Sequence, residues 1–204
     1  MAEEKIYIKN KHLFKSKAQM VVYIILFIVL LYGFIYLGTK DYKVEVDDKE
    51  KVASMFTMVD KDNVFKLVNA TEARMVANGK KGIVVFGTES KWVNYYLYMV
   101  NKVAKEVGIT EIYYYDFMKN RKDNNATYED IVAKLSDYVL YNDLDKAEIY
   151  APSLLVMGDK DVLLFDTETN FRTGDIVPSK YWTREKMTEK MDSLRIIFNT
   201  YLED

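Results

Sequence analysis

The sequence predicts an α/β sandwich built on a mixed central sheet and preceded by one transmembrane helix. Three observations predict it. Met20 to Gly38 runs for 19 residues without a charge. From Asn63 onward, short apolar runs alternate with stretches of helical periodicity. The order of those runs, βαβαβ-αββα, belongs to a layered α/β domain with a mixed sheet.

The apolar segment reads MVVYIILFIVLLYGFIYLG. At about 1.5 Å per residue it reaches about 28 Å as a helix, close to the roughly 30 Å core of a bilayer. A cleaved signal peptide has a shorter apolar region followed by small residues. Leu37-Gly38-Thr39-Lys40 carries no such site. Lys9, Lys11, Lys15 and Lys17 form a basic block before the segment, whereas lysines after it are mixed with Asp41, Glu45, Asp47, Asp48 and Glu50. The positive-inside rule then puts residues 1–19 in the cytoplasm and residues 39–204 outside. The expected localisation is the cell membrane, as a single-pass protein. Residues 39–62, charge-rich and poorly periodic, read as a stalk, with Lys49 to Val59 as a possible short helix. The ordered domain is expected over 63–204.

Within that domain, Val64 to Val68 is a strand candidate. Asn69 caps a helix over Ala70 to Ala77, which Asn78-Gly79 stops. Gly82-Ile83-Val84-Val85-Phe86-Gly87 is a continuous apolar run between glycines, as in a strand buried on both faces. Ser90 or Glu89 opens a long helix whose stripe is Trp92, Tyr96, Met99, Val100, Val103 and Val107, and Gly108 ends it. Glu111 to Phe117 is a strand. Its three consecutive tyrosines point alternately, so they read as core. A polar loop spans Lys119 to Ala126. Thr127 begins a helix with Ile131, Leu135, Tyr138 and Val139 on one side. Ser153 to Met157 and Val162 to Phe165 form a hairpin around Gly158-Asp159-Lys160-Asp161. An amphipathic helix from about Thr183 to Leu202 closes the chain.

Composition narrows the chemistry. The chain has 29 basic and 31 acidic residues; five and two of these lie in the first 19 residues, so the remainder is net acidic. Nucleic-acid binding is not expected of such a domain, because phosphate neutralisation drives it. Cysteine is absent and His12 is the one histidine. Thiolate nucleophiles, zinc–thiolate sites and histidine-based triads are thereby excluded. No catalytic residue, cofactor or metal site is assigned. Asp159, Asp161, Asp166, Glu168 and Asp175 cluster near the hairpin but lack an ordered calcium-loop spacing, and they read as a solvated turn.

The same residues resemble the thioredoxin-like superfamily, and most of all the bacterial group that includes bacteriocin-transport accessory proteins. The resemblance spans about residues 60–203. It rests on Asn63-Val64-Phe65, on Gly82 to Gly87, on Ile149-Tyr150-Ala151-Pro152-Ser153-Leu154, and on Val162-Leu163-Leu164-Phe165-Asp166. In the family, Phe-Gly is followed by Cys-Pro-Trp-Cys at a helix start. Ser90-Lys91-Trp92-Val93 stands here instead. Trp92 matches, while Ser90 and Val93 occupy the cysteine positions. Disulfide exchange needs two sulfurs, one to attack and one to resolve the mixed disulfide. Val84 stands where many thioredoxins carry a buried acid. Pro152 matches the family's cis-proline, and the resemblance implies that Ala151 before it lends its backbone to an extended peptide.

The resemblance therefore implies a redox-inactive, non-enzymatic module outside the membrane. It would bind an extended peptide or a partner protein, such as an exporter or secretion component, around Ser90, Lys91, Trp92, Val93, Ala151 and Pro152. The alternative is a structural subunit of a membrane or secretion complex, assembled through residues 20–38.

Overall fold

The computed structural model describes residues 17–39, 47–168 and 176–204, with the side chains of the first stretch described over 19–32. The chain divides into two units, Met1–Glu45 and Val46–Asp204.

In the first unit, α1 (Lys17–Thr39) is a helix of 23 residues. Its described side chains, from Gln19 to Tyr32, are all exposed. Among the described residues no helix is long and apolar enough to cross a membrane. The expected span of 20–38 extends past the described side chains, and the cytoplasmic tail before Lys17 lies outside the described residues.

The second unit is a mixed α/β domain. Among the described residues its sheet has five strands: β1 (Phe65–Leu67), β2 (Gly82–Gly87), β3 (Ile112–Asp116), β6 (Ser153–Met157) and β7 (Val162–Thr167), in the order β1-β3-β2-β6-β7. β3 runs parallel to both β1 and β2, while β6 is antiparallel to β2 and to β7. This mixed sheet, covered by helices on both faces, is consistent with a thioredoxin-like sandwich.

Strand alternation sorts the core into two layers. Ile83 and Val85 face one side with α4 (Lys91–Val107) and α8 (Arg184–Glu203), through Val93, Val100, Leu194 and Phe198. Val84 and Phe86 face the other, with α3 (Ala70–Ala77) and α6 (Ala126–Lys134), through Ala73, Val76, Ile131 and Val132. Tyr114 and Tyr115 divide between the layers in the same way. Caps set the helix ends. Asn69 and Glu72 form a reciprocal capping box at α3, and Gly108 closes α4 at φ +91, a conformation glycine reaches without steric cost.

Three expectations change. The compact unit begins at Val46, before the predicted boundary at Asn63. α2 (Asp48–Met55) buries Val52, and Phe56 and Val59 follow it into the core, so this stretch is domain and not stalk. The expected loop over Lys119 to Ala126 contains α5 (Met118–Lys122), and Asn125 caps α6 through Thr127 N–H and Tyr128 N–H. α6 stops at Lys134, so Tyr138 is not on its apolar side but 47% exposed. The sequence reading also lacked a small hairpin, β4 (Leu140–Tyr141) with β5 (Ala147–Glu148), and the short helix α7 (Pro178–Tyr181).

Candidate functional site

β2 ends at Gly87, and a short turn leads into α4. Ser90 is the N-cap of α4: its Oγ accepts from Val93 N–H at 3.2 Å, so the hydroxyl satisfies one of the helix's otherwise unpaired donors. Lys91 is exposed, Trp92 is partly buried, and Val93 is fully buried in the α4–α8 layer. Val93 therefore fills core rather than surface.

The β2–β6 register pairs Phe86 with Ser153. That pairing brings Ala151–Pro152, the residues just before β6, to the end of β2 where α4 begins. The Ala151–Pro152 bond is cis. Pro152 is buried, and its carbonyl accepts from Glu168 N–H at 3.2 Å. Ala151 is partly buried against both core layers. The start of α4 and the start of β6 thus share one pole of the sheet. Lys49 carbonyl accepts from Asn63 Nδ2 at 2.9 Å, just before β1, and Lys49 lies with Lys105 and Gly108 around a cleft at the other end of α4.

Around Trp92 lie Tyr181, Trp182 and Lys190, which the sequence reading did not single out, together with Tyr96, read as part of the apolar stripe, and Asp166 and Glu168, read as part of a solvated turn. The Tyr181 ring meets the Trp92 ring edge to face at 5.4 Å, and the Trp182 ring at 4.9 Å. Tyr181 hydroxyl donates to the buried Glu168 at 2.5 Å. Lys190 of α8 lies 3.5 Å from Glu168 and 3.0 Å from Asp166. Asp166 in turn accepts from the buried Tyr96 hydroxyl at 2.5 Å. Burial first, and then the Asp166 carboxylate, hold the Tyr96 phenol well above its ordinary pKa. One cation thus ties two carboxylates of the β7 end to α8, and Tyr181 links them to Trp92. A signal for α7 was present in the sequence: Pro178 suits a first helical position, and two aromatics precede the Thr183 cap.

The acidic residues near the β6–β7 turn do not gather into one cluster, and the expected solvated turn does not hold for Glu168, which is buried. Asp166 and Glu168 meet Lys190, Asp159 meets Lys81 at 3.4 Å, and Asp175 lies outside the described residues. Among the described residues no group of three His, Asp or Glu side chains is placed to hold a metal ion. With no cysteine in the chain, the pole at Ser90 has no group able to exchange a disulfide.

The class defined by this geometry is a mixed α/β domain with a capped helix start, an aromatic side chain and an X-Pro turn at one pole. No family model matches the chain, and no curated protein matches it.

Proposed function

We propose that this chain is anchored in a cell membrane by residues 20–38, and that its second unit is a redox-inactive thioredoxin-like module. The module binds an extended peptide or a partner protein outside the cytoplasm. The binding residues are Lys91, Trp92 and Ala151, with Ser90 and Pro152 fixing the backbone around them. Val93 supports the helix start from within the core. The carrying observation is the Phe86–Ser153 register, which sets Ala151–Pro152 beside the start of α4, where Trp92 is partly open to solvent. An aromatic ring beside extended backbone is a common peptide contact. The uncharged run of 20–38 and the lysine block before it support the anchor and its direction.

A second reading has its own support. Every described side chain of α1 is exposed, and Gly33 and Gly38 offer close approach to another helix. In that reading α1 assembles with other membrane proteins and the outer domain is scaffolding.

Two variants separate the readings. Trp92→Ala with Ala151→Asp is expected to abolish recovery of the partner from membranes while the chain stays membrane-bound. Replacement of 20–38 by an unrelated apolar span is expected to leave partner recovery intact. The reverse pattern assigns assembly to the helix.

A further inference from the structure

Between α6 and β6 the chain projects the β4–β5 hairpin, and its tip carries Leu144 at 87% exposure. Tyr138, Leu140 and Tyr141 on the approach to that tip are exposed as well. A ladder of two residues per strand is marginal alone, yet this tip is tightly organised. Asn142 N–H donates to Lys146 carbonyl at 2.9 Å, and Asp145 N–H donates to Asn142 carbonyl at 2.9 Å. Asn142 Oδ1 accepts from Leu144 N–H at 2.9 Å and from Lys146 N–H at 3.0 Å. Asn142 Nδ2 donates to Glu148 at 2.9 Å. Glu148 pairs with Arg121 of α5, whose guanidinium lies 5.2 Å from the centre of the Tyr150 ring. Asp145 takes the left-handed turn at φ +58, a region Asp enters more readily than most residues.

The loop is thus ordered around a leucine left in water, and ordering a loop before contact lowers the cost of a later association. The charge around it narrows the partner. Asp137, Asp143 and Asp145 are exposed and form no ion pair among the described residues, while Lys146 is engaged by Glu129 at 3.3 Å. An acidic tip is repelled by anionic headgroups. It is equally repelled by the like-charged tip of a second copy across a two-fold axis.

We propose that this hairpin docks a partner protein, with Leu144 entering an apolar pocket and Asp143 and Asp145 meeting lysine or arginine on its rim. The hairpin runs through Ile149 and Tyr150 into Ala151, so it borders the pole at Trp92, but it rests on its own observations.

The test places a photo-crosslinking amino acid at Leu144 in the full chain, in native membranes, and maps the adduct by mass spectrometry. The expected adduct is on a protein, beside a lysine or arginine. Asp143→Lys with Asp145→Lys is expected to cut its yield about tenfold, with an unchanged circular dichroism spectrum, and changing the mapped basic residue to Asp is expected to restore it. An absent adduct, an adduct on lipid or on a second copy of the chain, or a yield indifferent to the charge changes overturns the proposal. Crosslinking from Trp92 is read separately, so failure of the groove and failure of the hairpin are distinguishable.

Discussion

The Trp92 indole and the Tyr181 ring meet edge to face, 5.4 Å apart. Tyr181 also donates its hydroxyl to the buried Glu168. The aromatic side chain at the proposed binding pole is therefore fixed by a residue of α7, itself fixed by a carboxylate at the end of β7. Tyr181→Phe keeps the ring and removes the donor. Leaving a buried carboxylate without that bond costs about 1–3 kcal/mol. Denaturant unfolding checks the figure. An unchanged stability would mean that Glu168 does not depend on Tyr181.

Ser90 and Val93 stand three residues apart at a helix start, the cap oxygen 3.2 Å from Val93 nitrogen. Two cysteines there lie within the separation a disulfide bridges. Ser90→Cys with Val93→Cys is expected to lose two hydrogens in mass on mild oxidation, with the chain monomeric. Each single variant is expected to keep a free thiol. Two free thiols after oxidation of the double variant would contradict this geometry of the helix start.

Much of this architecture was legible in the sequence, because its signals are local. The glycine-bounded run 82–87, the stripe on α4 and the Asn69 cap each lie within one element. α2 was not legible as domain: its eight residues bury Val52 alone, and Phe56 joins only because Tyr114 waits 5.5 Å away across the fold. The β4 and β5 strands have two residues each, too few to show a period. At the site, Ser90 as the cap of α4, Trp92 in the first turn of that helix and Pro152 just before β6 were readable because their signals are local too. The pairing of Glu168 with Lys190 was not, since 22 positions of chain separate them and only the fold brings them together at 3.5 Å.

Tyr114 has a buried hydroxyl without a hydrogen-bond partner among the described residues. A buried unmatched hydroxyl is a cost, not a gain. Tyr114→Phe is expected to be neutral or to stabilise the domain by up to about 1 kcal/mol. Gly87→Ala acts in the opposite direction, because its methyl would lie 2.5 Å from Tyr114 Cε2. Overpacking of this kind costs about 1–3 kcal/mol. Thermal unfolding of the two variants checks both signs.

Alkaline pH is expected to unfold the domain. Burial pushes the Tyr128 phenol up to about 12, with Arg121 acting in the other direction, and burial also raises Tyr96, Tyr114, Tyr115 and Tyr201. Unfolded tyrosine titrates near about 10. Between those values the unfolded chain has released protons that the folded chain still holds, so stability falls as pH rises. For Tyr128 the loss begins near pH 10 and is complete above about 12. Chemical denaturation at stepped pH measures it, and Tyr128→Phe is expected to flatten the slope. A flat profile across that window would contradict burial of these phenols.

The most direct measurement is photo-crosslinking from Trp92 in native membranes, against the same crosslinker at exposed Asn199 on α8. The expected result is one specific partner or peptide adduct at Trp92, at least about tenfold above Asn199, and lost on Ala151→Asp. Labelling at Trp92 no greater than at Asn199 would contradict a binding role for this pole.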